Sequence, residues 1–142
     1  MAKKKKKPKY NQNSAIRSAV RRAFSRSPMV QEVLKEVRIE EPKYNKDGSL
    51  AKKPAVFYTC AICGKKFKST VVAVDHIEPV IPLDKTFTTW DDFISRLFCE
   101  KDNLQVLCNY KLKYKDDYGG EPSCHYKKTQ SEKDIRKKNG LE

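Results

Sequence analysis

The sequence predicts a small α+β protein, stapled by a metal ion and preceded by a basic helical arm. Apolar residues recur at helical spacing between residues 14 and 38, short β-branched and aromatic runs follow with turn signals between them, and a C-x-x-C stands at the end of the first of those runs. A chain of 142 residues has room for one domain and an arm, with a core modest enough to need a staple.

Residues 1 to 13, "MAKKKKKPKYNQN", form a lysine run with no apolar period, so nothing offsets the entropy of ordering them, and a disordered basic tail is expected. From residue 14 to 55 a helical arm and linker follow. Ile16, Ala19, Val20, Ala23 and Phe24 mark one helix with Ser14 as its N-cap, and Arg17, Arg21 and Arg22 lie off that stripe. Ser27 and Pro28 read as a second N-cap with proline at the first helical position, and Val30, Val33, Leu34 and Val37 carry the apolar face to about Arg38. Pro42, "KDGS" and Pro54 then predict a loose hairpin or linker.

The main domain is expected over residues 56 to 142. "VFYTCAICGKKF" reads as strand, tight turn and strand, Val71 to Ile77 as a further strand closed by Pro79 and Pro82, and "NLQVLC" as another. Thr89, with Asp92 three residues on, opens the helix "WDDFISRLF" as a capping box with Asp in place of Glu. The chain closes on the cation-rich helix "CHYKKTQSEKDIRKK".

Charge narrows the function classes. The net charge of +13 is uneven, with twelve Lys and Arg against Glu32 and Glu36 in residues 1 to 38, which points to a polyanionic partner, above all nucleic acid. Lys3, Lys4, Lys5, Lys6 and Lys7 would hold any phosphate backbone; "KKKKKPK" also has the form of a nuclear import signal. No apolar stretch is long enough to span a bilayer and no signal-peptide core follows the basic start, so a cytoplasmic protein without a membrane partner is expected. In that reducing compartment five cysteines, an odd number, are metal ligands before they are disulfides.

Cys60 and Cys63, followed at once by Gly64, have the spacing with which a tight turn presents two thiolates to one zinc ion. Cys108, ending a strand, and Cys124, opening the last helix where the helix N-terminus favours a thiolate, are the best candidates for the other two ligands; Cys99 is the odd one out. A zinc ion held by these four would gather the residues beside them, Asp75 and His76, Asn103, and His125. The chain's two histidines both fall in that set. A neutral imidazole to take a proton from water, with a carboxylate and a second ligand for a divalent cation, is the equipment of metal-dependent phosphodiester hydrolysis. Taken one at a time the same residues have plainer roles: His76 as a packed histidine, Asp75 as a cap, Asn103 as a turn residue, His125 as a zinc ligand in place of a cysteine.

Taken in order, "YTCAICGKKF", "VDHIEPV", "DNLQVLC" and "CHYKKT" resemble the HNH endonucleases of the zinc-stabilised type found among phage and homing nucleases, over roughly residues 56 to 132. The resemblance implies a treble-clef-like ββα-metal finger, with strands from the "DH" and "NL" segments and a helix carrying the last histidine. It implies His76 as general base, Asn103 as the residue that holds the finger loop and orients the base, and Asp75 with His125 as ligands of a catalytic magnesium or manganese ion. Lys128 stands at the family's basic position after the final histidine, and Lys127 beside it adds a second phosphate contact. The family commonly runs a second C-x-x-C into that histidine, whereas here residues 109 to 123 separate Cys108 from Cys124, with Cys99 as the substitute for Cys108. That insert, with three tyrosines among lysines, is a candidate DNA contact.

The expected activity is cleavage of double-stranded DNA, in host cytoplasm for a phage enzyme, alone or with a packaging or other protein partner. The competing expectation is a non-catalytic zinc-ribbon protein that binds nucleic acid. Oligomeric state is open at this stage.

Overall fold

The computed structural model describes residues 4 to 141, a small α+β fold with four α-helices and two small sheets. Lys3 lies outside the described residues, and residues 4 to 11 carry no regular secondary structure.

Helix α1, Gln12–Ser25, is capped by Asn11, whose extended backbone lets its side-chain oxygen accept from Ser14 N at 3.0 Å. Ser14 is therefore the recipient of the cap and not the cap. The packed face is also narrower than the periodicity predicts, since Ala19 and Ala23 are exposed and Val20 and Phe24 meet the core. Helix α2, Pro28–Glu36, begins as expected with Ser27 extended and proline at the first turn, but the buried Ser27 hydroxyl makes no cap bond. It stops at Glu36 because Arg38 already belongs to a strand.

Strand β1, Arg38–Glu41, pairs antiparallel with β2, Ala55–Thr59, and β2 with β3, Lys66–Phe67. The predicted loose hairpin is thus a real one. At its tip Asp47 accepts from Ser49 N at 2.9 Å and Gly48 takes the left-handed φ of 86° that the turn requires. The second sheet pairs β4, Val72–His76, with β5, Leu104–Cys108, in antiparallel register from Val72↔Cys108 to His76↔Leu104. Helix α3, Trp90–Leu97, starts as predicted on Thr89, whose hydroxyl accepts from Asp92 N at 3.1 Å. Helix α4, Cys124–Lys138, starts on Ser123, fully buried and accepting from Tyr126 N at 3.2 Å.

Phe24, Val30 and Val33 from the two N-terminal helices share one core with Phe93 and Leu97 of α3 and Leu104 and Val106 of β5. Helix α2 packs on both strands of the second sheet, so the helices are a wall of the same body that carries the cysteines. A second cluster of Cys60, Phe67, Leu107, Cys108, Tyr110 and Cys124 lies at the other end of β5. Burying a leucine or phenylalanine in such cores contributes about 1.5–3 kcal/mol each. Two clusters this small make a modest core, of the kind that a metal joining the sulfurs would staple.

Candidate metal centre and the adjoining recess

Three chain segments deliver the four cysteines. The turn after β2 carries Cys60 and Cys63: Gly64 N donates to Cys60 O at 3.0 Å, with Gly64 at φ 72°, and Ala61 N donates to Val106 O at 2.8 Å, tying the turn to β5. Cys108 ends β5 and Cys124 opens α4, and the Cys124 amide donates to the Cys108 sulfur at 3.2 Å. The four sulfurs all lie within 4.8 Å of one another. Zinc–thiolate bonds of about 2.3 Å put the sulfurs of a tetrahedral site about 3.8 Å apart, so this donor set fits a structural metal such as zinc. Cys108, and not Cys99, is the third member; Cys99 stands half-buried among hydrophobic residues of the other core.

The electrostatics explain why the set calls for a cation. Burial pushes the Cys60 thiol up, but amide donors at Cys108, Cys63 and Ile62 outweigh it and hold Cys60 at about 7. Burial raises Cys124 to about 11 and Cys108 higher still, and the charge of ionised Cys60 adds to both. One thiolate is accommodated by the fold alone. Cys108 and Cys124, held up by burial, give up their protons most readily against a bound cation.

Beside this centre, β4 presents Asp75 and His76. Neighbours on a strand point to opposite faces, and they do so here. Asp75 turns to α4, where its Oδ1 lies 4.0 Å from His125 Nε2 and its Oδ2 is 3.0 Å from Lys128 Nζ and accepts from Gln105 Nε2 at 3.1 Å. His76 turns to α1 and α3, with Nε2 2.8 Å from Leu97 O and its ring 5.0 Å from that of Phe24. Asp75 and His76 are nevertheless both lining residues of one open recess of about 260 Å3, shared with His125, Lys128, Glu132, Arg136 and Arg21.

Asn103 stands off from the recess, in the turn before β5, and pins the loop after β4. Its backbone carbonyl accepts from Ile77 N at 2.8 Å, its side-chain oxygen accepts from Glu78 N at 2.8 Å, and its amide donates to Glu78 O at 3.2 Å. Three bonds to consecutive residues fix the chain directly after His76.

Lys128 sits between acids. Besides Asp75 it pairs with Glu132 and donates to His76 O at 2.9 Å; burial lowers its pKa, but Glu132 and Asp75 outweigh that and hold the ammonium above the ordinary lysine range. Lys127 turns away and pairs with Glu121 at 2.9 Å. Of the three arginines of α1, Arg21 reaches the recess, its guanidinium 5.5 Å from the centroid of Phe93, while Arg22 is exposed and Arg17 lies one turn back. Lys4 to Lys7 are exposed.

Gln105, Glu132 and Arg136 were not legible as site residues from isolated motifs. Gln105 is found only once β4 and β5 are paired, Asp75 opposite Gln105. Glu132 and Arg136 carried a signal: with His125 and Lys128 they fall on one helical stripe. Arg136 braces the recess wall by donating to Pro82 O at 3.2 Å and to Ile81 O at 2.5 Å. Comparison with protein-family models, with curated proteins and with solved structures gives no match.

Proposed function

We propose that this chain is a divalent-metal-dependent endonuclease of the HNH type, hydrolysing DNA phosphodiester bonds on a ββα-metal finger of β4, β5 and α4 braced by a structural zinc ion. The observation that carries the reading is the pairing of Asp75 Oδ1 and His125 Nε2 at 4.0 Å in the recess that His76 also lines. Two donors bound to one magnesium- or manganese-sized ion lie about 3.0–4.2 Å apart, so this pair fits such an ion, with water and phosphate oxygens completing its shell. A bound magnesium or manganese ion would supply charge stabilisation at the non-bridging and leaving oxygens of the phosphate.

The protein's own groups supply the rest. With Nε2 of His76 donating to Leu97 O, Nδ1 is the bare nitrogen and takes the proton from the attacking water. The carbonyl bond and the Phe24 ring fix the plane of that imidazole. Asn103 keeps the loop behind it from moving. Lys128 and Arg21 bring positive charge to the recess that a phosphate enters, and the lysine tail with Arg17, Arg22 and Lys127 adds affinity for double-stranded DNA independent of sequence.

The Asp75–Lys128 ion pair at 3.0 Å favours a second reading, a zinc-ribbon protein that binds nucleic acid without cutting it, because an ammonium already neutralises the carboxylate. Supercoiled plasmid separates the two. A nuclease converts it to nicked or linear DNA with magnesium or manganese and not when both are left out, and at the parent's working metal concentration Asp75→Ala and His125→Ala each cut far more slowly. Retarded but uncut plasmid under every metal condition makes the chain a binder.

A further inference from the structure

A second recess, about 530 Å3, lies on the other side of His125, between the insert of residues 109 to 123 and the first turns of α4. Its volume is that of small-molecule sites, roughly 300–1,000 Å3. Four tyrosines wall it. Tyr110 and Tyr118 stack on each other at 4.2 Å, and the Tyr110 hydroxyl donates to Glu121 O at 2.7 Å, so one wall is rigid. Tyr114 and Tyr126 keep 47% and 38% of their surface open, enough for a flat ring to lie against them. Lys111 is a lining residue of the recess, and Lys113 Nζ sits 4.9 Å from the centroid of the lining Tyr114.

Rigid aromatic faces with cations at the rim are how proteins hold single nucleotides: every base has a face to stack, and the ammonium meets the phosphate beside it. The recess shares His125 with the site argued above. A strand whose phosphate lay against His125 would have a neighbouring nucleotide at the tyrosines. We infer that this recess receives one unstacked nucleobase of the substrate strand, next to the phosphate that is cut, so that DNA with an unpaired nucleotide at that position is the preferred substrate over continuous duplex. The inference rests on the endonuclease reading for what happens at the neighbouring phosphate; the base site itself does not.

The test uses the full zinc-loaded chain with magnesium and manganese left out, where no cutting is expected, with a single-stranded oligonucleotide and a duplex carrying one unpaired nucleotide, each with 2-aminopurine at the unpaired position. Stacking on tyrosine quenches its fluorescence. The parent should quench it saturably and bind both probes more tightly than a continuous duplex. Tyr114→Ala combined with Tyr126→Ala should remove the quenching and weaken binding to both probes by about five- to hundredfold, with continuous duplex held within twofold. Both positions are exposed, and unchanged zinc content confirms that the variant is folded. Equal quenching and affinity in parent and variant would overturn the inference. Plasmid cleavage is read separately: cutting without quenching sinks the base site alone, and quenching without cutting leaves it standing while the endonuclease reading falls.

Discussion

Asp75 and His125 come from residues fifty apart and end 4.0 Å from each other, carboxylate oxygen to imidazole nitrogen, because β4 and the first turn of α4 are gathered beside the same four sulfurs. Position on regular elements is what makes the pair rigid. Asp75→Ala should weaken the catalytic cation without removing the base, so raising magnesium or manganese should recover part of the lost cleavage. No recovery at any metal concentration would take Asp75 out of the metal site.

Lys128 competes for that carboxylate. Removing its ammonium leaves Asp75 and Glu132 uncompensated, which favours a divalent cation, and at the same time removes a contact for the phosphate. Lys128→Ala should therefore reach half-maximal rate at lower magnesium than the parent, with a lower rate at saturation. Plasmid cleavage titrated with magnesium reads both numbers. A higher magnesium requirement would mean that Lys128 helps to hold the site and does not compete for it.

Zinc should bind one per chain and release protons as it does so. Cys124 at about 11 and Cys108 above it are thiols at pH 7, and both must become thiolates to ligate. Uptake by metal-free protein at pH 7 should thus release at least two protons, and apparent affinity should rise with pH and fall on acidification. Calorimetry in buffers of different ionisation enthalpy counts those protons. Cys63→Ser should be zinc-poor or insoluble and Cys99→Ser nearly silent; full zinc in Cys63→Ser would dismiss the four-cysteine site.

The cysteine set and the strands of the second sheet were legible in the sequence because their signals are local: a C-x-x-C with glycine, β-branched runs, prolines at the ends. What was not legible was which way neighbours face. The apolar stripe of α1 counted Ala19 and Ala23, which are small enough to sit in a helix whether or not anything packs on them, and so set Arg21 apart from the core side. The cap at Ser14 failed for a similar reason, since Asn11 offers the same acceptor three residues earlier. The separation of Asp75 from His76 across β4 follows from strand alternation, but the partner of each face comes from helices far along the chain.

The tail predicts a difference between binding and chemistry. Deleting residues 1 to 10 spares Asn11 and with it the start of α1. Affinity for DNA should fall and its salt dependence flatten, since each lost phosphate contact removes about 0.9 from the slope of log K against log salt. The rate at saturating DNA should hold. Loss of that rate in proportion would show that the tail helps to assemble the cutting complex.

His76 gives the sharpest test, because its ring has a structural and a chemical account at once. It fills space against Phe24 and bonds Leu97 O, so a merely structural His76 is conceivable. His76→Gln retains a side-chain N–H for that carbonyl and most of the volume but offers no imidazole base. If the ring's role is packing, the glutamine variant should cut almost as the parent does. If Nδ1 takes the proton from water, His76→Gln and His76→Ala should both keep zinc, fold and DNA affinity while the saturated rate drops by a factor on the order of 10²–10⁴. Added magnesium should restore neither, in contrast to Asp75→Ala. Parent-like cleavage by the glutamine variant would leave the recess without a base and make the zinc-ribbon binder the better account of this chain.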